Sequence, residues 1–224
     1  MANLNAAKTG RAAGASSSNF ATARASNASG VVVNPTTGGS GLAVYYNQTG
    51  RGASTFNRMF YYFDTSGITG TVSSVTLNIL GASSGNNGNL AVAKSSAFGG
   101  DGSADIVVSD MTEIDYSTLY SGEITSWTLS GNNAITLNSA AETDIQGDDA
   151  FIVVVLNFQN DVRNFEAGSA TQHQNGVAHS TIAYLSYTES TSGYTHDVNS
   201  VAAASIGKVN SVATASIGKI NSVD

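Results

Sequence analysis

The sequence predicts an all-β fold, an antiparallel β-sandwich with an extension at each end. Short apolar stretches alternate with polar residues, turns rich in glycine, serine and asparagine separate them, and one continuous apolar run is short enough for a buried strand. The chain has 224 residues with 24 glycines, one proline and no cysteine. Its 41% apolar content, with nine tyrosines and eight phenylalanines, argues against a disordered chain.

Nine segments have the pattern of short strands. They are residues 31–33, 42–46, 58–63, 72–79, 90–93, 124–129, 135–137, 151–156 and 181–187. The run 151–156 is apolar throughout, so we expect a strand that is buried on both faces. One helical turn is expected at 140–145, with Asn138 or Ser139 as its cap. Seven to nine such strands in one chain are typical of a sandwich or jelly roll.

The strand at 58–63 is rich in aromatic residues. Its alternation places Phe60 and Tyr62 on one face and Tyr61 and Phe63 on the other. Core packing explains these rings, because strands favour half-buried aromatic residues. The alternative is a platform on which sugar rings stack. The candidate residues for glycan binding are Tyr61, Tyr62 and Trp127.

The stretch 58–77 combines this aromatic strand with Asp64, a Thr-Ser-Gly-Ile turn and a second strand. The side chain of Asp64 is expected to accept N–H bonds from the turn. The stretch resembles jelly-roll modules of the DNRLRE-type and carbohydrate-binding-module-like group, over roughly residues 20–190. The resemblance implies an antiparallel jelly roll, and modules of this group often carry a structural calcium ion. The proline that usually precedes the final strand is absent here.

Charge and composition divide the chain into three segments. Residues 1–19 are expected to form an N-terminal arm, either a short helix around Leu4–Lys8 or a flexible tail. Residues 20–190 are the predicted sandwich, and residues 191–224 are the predicted tail. The formal net charge of −7 argues against duplex nucleic acid as a partner. A run of 18 apolar residues is absent, so neither a secretory signal nor a membrane span is expected.

The sequence offers little for catalysis or cofactor binding, and we expect a protein that is not an enzyme. There is no Walker A pattern and no dinucleotide-binding glycine pattern, and the three histidines lie in polar stretches. Asp101, Ser103 and Asp105 place oxygen donors at alternate positions of a glycine-containing loop, which suits calcium. The competing interpretation is an acidic hairpin tip without metal. No other cofactor is expected.

The tail contains an eleven-residue repeat. Residues 199–209 and 210–220 are identical at nine of eleven positions, and the Asn-Ser-Val that opens each copy recurs at 221–223. An eleven-residue period is compatible with a helix. The glycines and the Asn-Ser pairs are poor helix formers and favour short strands with turns, so the sequence leaves both structures of the tail possible. Two copies and part of a third are too few to bury the apolar face of the repeats by themselves. We therefore expect the tail to bind a partner. The predicted docking residues are Val201, Ile206, Val209, Val212, Ile217, Ile220 and Val223.

These copies resemble the Ser-Ile-x-Lys-Val-Asn-x-Val repeats at the ends of many bacteriophage structural proteins. The resemblance implies a non-enzymatic virion protein, a fibre or decoration protein on capsid or tail, that is assembled in the host cytoplasm and displayed on the particle surface. Its partners would be other virion proteins and sister subunits, and the analogy with such fibres implies a homotrimer. The alternative function is a lectin-like module that binds host-surface or secreted glycans.

Overall fold

The computed structural model confirms the all-β class. It describes residues 1–16, 19–25, 42–49, 53–85, 88–167, 170–177 and 182–190, and the backbone of 208–209 and 212–213. Eleven strands form one antiparallel sheet, and two short strands in the tail form a separate pair. The described residues also form two α-helices, two 3₁₀ helices and one π-helical turn.

Strands account for most of the elements along the chain. They are β1 (Ala2–Asn5), β2 (Lys8–Ser16), β3 (Leu42–Gln48), β4 (Ser54–Asp64), β5 (Thr71–Gly85), β6 (Leu90–Ser95), β7 (Ile114–Leu119), β8 (Asn132–Thr136), β9 (Ala150–Asn157), β10 (Thr171–Val177), β11 (Tyr184–Ser190), β12 (Lys208–Val209) and β13 (Val212–Ala213). The helices are α1 (Phe20–Ala25) and α2 (Ser139–Gly147). The 3₁₀ helices are Phe98–Gly100 and Val108–Thr112, and the π-helical turn is Phe158–Val162.

The long strand β5 joins two parts of the sheet. Its first ten residues pair with β11 and β8, and Gly81 and Gly85 pair with β10. One part of the sheet therefore has the order β1-β11-β5-β8. The other part is centred on β4, which pairs with β2 along one edge and with β3 and then β9 along the other. The fold is sandwich-like, because side chains from both parts meet in one core.

The sheet around β4 carries apolar side chains on both faces. Met59, Tyr61 and Phe63 belong to the core shared with the β5 part, whereas Phe56 and Phe60 belong to a second core on the opposite face. The second core is covered by α1, the 3₁₀ helices and the π-helical turn. The predicted alternation along the aromatic strand is thereby confirmed. A layer of helices and loops lies outside the sandwich, and the sequence did not predict it.

Several local predictions are confirmed. Strand β9 is buried from Phe151 to Leu156, with alternate residues in the two cores. The side chain of Asp64 accepts the Ser66 N–H at 3.2 Å and its hydroxyl at 2.6 Å, which closes the predicted turn. The Asn138 side chain caps α2 by accepting the N–H groups of Ala140 and Ala141. The helix is longer than the predicted single turn.

The predicted helix or flexible arm at the N-terminus is wrong. Residues 2–5 and 8–16 are strands that extend both parts of the sheet, by pairing with β11 and β4. The second of these strands is built from small residues because its neighbours come close. A Cβ atom on Gly10 would lie 2.6 Å from Ile106 Cγ2, and Ala12 is fully buried. The division of the chain into three segments stays a prediction.

The predicted strand at 124–129 is also wrong. Only Ile124 forms an isolated bridge, to Leu90, and the rest of the segment is irregular. Within this irregular segment Trp127 is buried, and its Nε1–H donates to Gly176 O at 3.0 Å. The predicted strand at 31–33 lies outside the described residues. Strands β1, β2, β7 and β10 and helix α1 were not predicted.

Candidate functional site

The three residues considered for glycan binding do not form a shared platform. Tyr61 is 1% exposed in the sandwich core, and Trp127 is 8% exposed with its indole N–H bonded to the backbone. Tyr62 is half-buried on the opposite face of β4 from Tyr61, and its ring lies against Gly102, where a Cβ would be 2.2 Å from Cζ. A sugar ring needs exposed aromatic faces on one side. The geometry therefore corrects the assignment of Tyr61 and Trp127 to a binding surface.

The hydroxyl of Tyr61 has no hydrogen-bond partner among the described residues. Burial raises the pKa of this phenol. An unsatisfied buried hydroxyl costs about 1–3 kcal/mol. We therefore expect Tyr61→Phe to raise the free energy of unfolding, by about 1 kcal/mol, in urea denaturation.

The matched control for this variant is Tyr120→Phe. Tyr120 is equally buried, but its hydroxyl donates to Asp144 Oδ2. Its loss should lower the free energy of unfolding by about 1 kcal/mol, the net value of a typical hydrogen bond. Equal destabilisation by both variants would contradict the assignment of Tyr61 as unsatisfied.

The residues considered for calcium have partners within the protein. Asp101 Oδ1 accepts the Ser103 N–H at 2.8 Å, and the bonds from Ser103 lower the pKa of that carboxyl. Asp105 pairs with Lys8 at 3.4 Å, and Lys8 Nζ also donates to Ala104 O at 2.8 Å. The loop is thus joined to β2 by a lysine. Over the described residues, no group of three or more histidines, cysteines or carboxylates that could hold a metal ion is found.

An acidic concavity of about 460 Å³ lies between β6, β9 and the end of α2. Lys94 Nζ donates to Asp144 Oδ2 at 2.9 Å and lies 4.0 Å from Asp148 Oδ2. The bond to Asp144 raises the pKa of Lys94. Tyr120 donates to the same carboxylate oxygen. These contacts hold α2 on the sheet, and the lysine is kept protonated rather than poised as a nucleophile.

His173 is the one histidine of the three that lies in the described part of the chain. Its Nδ1 is 3.1 Å from Asn160 Oδ1, and its ring lies beside that of Tyr46. Burial lowers the pKa of His173. The partner of its ring nitrogen is an amide oxygen rather than a hydroxyl nucleophile, so His173 serves to join β10 to the π-helical turn. His179 and His196 lie outside the described residues.

A polar groove of about 340 Å³ separates β8 from the irregular segment that replaces the predicted strand. Hydroxyl and amide side chains line it, together with Glu123, Ile124 and Ile135. The sequence could not reveal this groove, because it depends on the irregular course of residues 125–128, between the bridge of Ile124 to Leu90 and the contact of Thr128 with the Asn133 side chain. The groove belongs to the sandwich rather than to the tail.

Most of the predicted docking residues in the tail lie outside the described residues. These are Val201, Ile206, Ile217, Ile220 and Val223. Val209 and Val212 are described for the backbone and are register partners in the antiparallel pair of β12 and β13. Asn210 and Ser211, the first residues of the second copy, connect the two strands. The backbone of residues 208–209 and 212–213 is extended, which favours strands over a helix at these positions.

The chain matches none of the protein-family models against which it was compared, and no curated protein has a similar sequence. In the described structure, none of the helices is both long and apolar enough to cross a membrane.

Proposed function

We propose that this chain is a structural, non-enzymatic component of a bacteriophage virion. It would be a surface fibre or decoration protein of the capsid or tail, with a jelly-roll sandwich facing outward. Its C-terminal repeats would dock it to the particle or to sister subunits, and a homotrimer is the simplest assembly for such a fibre.

The observation that carries the proposal is the repeated tail. Two copies that agree at nine of eleven positions keep valine and isoleucine at the same places, with Lys208 and Lys219 as the only basic residues. The junction between the copies is a two-residue antiparallel pair, β12 with β13. An isolated pair of this size is not stable in water, so an apolar partner must complete it.

The charge distribution supports the same role. Residues 12–197 contain fifteen acidic and five basic residues, whereas the tail from 198 to 224 contains two lysines and one aspartate. A strongly acidic body remains soluble and repels other bodies, while a tail with little charge can be buried against a neighbour. The body and the tail therefore suit display and attachment, respectively.

The experiment is mass spectrometry of purified phage particles that carry tail variants. Ile206→Asn together with Ile217→Asn places an amide in both apolar repeats, and we expect the chain to be lost from the particles. The control is Ala203→Thr together with Thr214→Ala, which exchanges the residues at one of the two positions where the copies differ. The control chain should remain. Absence of the unaltered chain from purified particles would overturn the proposal.

A further inference from the structure

The outer edge of β8 carries backbone groups that are available for another strand. Leu137 N–H donates to Val75 O and Gly81 N–H to Gly131 O, both at 2.9 Å. In an antiparallel ladder the residues that bond to one neighbour alternate with those that face away from it. The odd-numbered residues of β8 therefore bond to β5. The N–H and C=O groups of Asn132, Ala134 and Thr136 point away from β5, toward the groove.

Both ends of this edge are closed by the chain itself. Asn138 N–H donates to Tyr120 O at 2.9 Å at one end. At the other end the Asn133 side chain accepts the Thr128 N–H at 2.7 Å and donates to Thr128 O at 3.1 Å. Between these contacts the two walls separate, and no described residue bonds to the outward groups of β8. The gap has the length of about four strand residues, or roughly 14 Å.

The far wall of the gap is held in place. Trp127 bonds to Gly176 O, and Ser121 Oγ accepts the Val92 N–H at 3.0 Å. Ser126 is exposed and lines the gap, whereas its neighbour Thr125 is exposed but does not line it. The gap is thus a preformed slot with one edge of unpaired backbone groups and an opposite wall of small hydroxyl side chains. Such an edge is a template for pairing with an extended peptide.

The tail contains two segments of suitable length and chemistry. Residues 201–206 and 212–217 are six-residue runs of valine, alanine, serine, threonine and isoleucine, with no charge, glycine or proline. Their small side chains suit a narrow slot, and Val212 and Ala213 already have extended backbone. In each copy a lysine follows the run by two residues. The wall of the slot also carries Glu123, whose carboxylate already accepts bonds from Asn89 and Gln159 and pairs with Arg163 at 3.8 Å.

We propose that the β8 slot receives a C-terminal repeat of a second copy of this chain as an added strand. Each chain offers one slot, so a repeat donated by one chain would fill the slot of the next. Assembly would then proceed from tail to sandwich, one subunit after another. This inference rests on the docking role proposed above for the repeats, and names the surface that they bind.

The test uses the full-length protein and measures its mass by light scattering over a range of concentrations. We expect the unaltered chain to associate, and Ser126→Trp, which fills the slot, to raise the dissociation constant by about tenfold or more, the equivalent of one to two lost hydrogen bonds. Thr125→Trp is the matched control and should associate like the unaltered chain. Ala134→Pro is a second variant, since it removes an outward N–H and leaves the ladder to β5 intact.

Hydrogen exchange of the unaltered chain supplies an independent readout. We expect the amides of Ala134 and Thr136 to become more protected as the protein concentration rises. Association that is equally strong in Ser126→Trp and Thr125→Trp, or an oligomer in which these amides stay unprotected, would overturn the slot. A protein that stays monomeric while these amides are protected would show that each chain fills its own slot, which also overturns the proposal.

The two proposals can fail separately. If the Ile206→Asn, Ile217→Asn variant dissociates and Ser126→Trp does not, the repeats dock but on another surface. If both variants dissociate and the chain is absent from phage particles, the repeats bind the β8 slot but the proposed role in the virion is wrong.

Discussion

Replacement of Asp161 by alanine is expected to lower the free energy of unfolding by about 3–5 kcal/mol. Asp161 Oδ1 accepts bonds from Arg58 Nη2 at 2.5 Å and Arg58 Nε at 3.1 Å, and the side chains of both residues are at most 1% exposed. Removing the carboxylate leaves a guanidinium charge in the second core with no counterion.

The Arg58 side chain also organises the outer layer. It donates to the carbonyl oxygens of Met111 and Arg24, while Arg24 donates to the Asp161 carbonyl oxygen at 2.7 Å. One buried cation thus joins α1, a 3₁₀ helix and the π-helical turn to β4. Burial acts to lower the pKa of Arg58, but the attraction of Asp161 opposes it, and the pKa of the guanidinium is raised overall.

Urea denaturation checks this prediction, with Asp105→Ala as the control. Asp105 also forms an ion pair, with Lys8, but its side chain is 75% exposed, so its loss should cost less than about 1 kcal/mol. The double variant Arg58→Met, Asp161→Leu should recover much of the loss, because a buried pair can be replaced by apolar side chains at little cost. Equal effects of Asp161→Ala and Asp105→Ala would contradict the role of the buried pair.

Replacement of Gly81 by alanine is expected to lower the free energy of unfolding by about 1–3 kcal/mol. A Cβ atom at this position would lie 1.9 Å from Thr128 O, which is a backbone atom and cannot rotate away. Thr128 closes one end of the β8 slot, so its displacement should also weaken association of the full-length chain.

Thermal or urea unfolding measures the first effect and light scattering the second. Gly67→Ala is the control, because nothing lies within 4 Å of the added Cβ. It should leave the free energy of unfolding within about 0.5 kcal/mol of the unaltered value. A Gly81→Ala protein as stable as Gly67→Ala would show that Thr128 does not abut β5.

Strong local patterns were sufficient to predict much of the sandwich. The apolar run of β9 requires burial on both faces, Asp64 closes its own turn, and Asn138 caps the helix that follows it. Each of these features depends on residues within a few positions of one another. Their structure is therefore decided by local chemistry, which the sequence displays directly.

The features that the sequence did not reveal depend on distant residues. Strand β2 contains alanine and glycine because Ile106 packs on Gly10, a contact between residues 96 positions apart. Arg58 and Asp161 are 103 positions apart, and neither is distinguishable in the sequence from a surface charge. The segment 124–129 carries apolar residues typical of a strand, yet it is irregular after Ile124, where Trp127 is bonded to Gly176 O on the distant strand β10.

The copy number of this chain in purified phage particles tests the proposed attachment through the repeats most directly. We expect the unaltered chain and the variant with Ala203→Thr and Thr214→Ala to be present in the same fixed number per particle. The variant with Ile206→Asn and Ile217→Asn should be present at less than about a tenth of that number, since burying an unpaired amide in each repeat costs more than about 1.4 kcal/mol. Equal copy numbers for all three chains would contradict the claim that the repeats attach the protein to the particle.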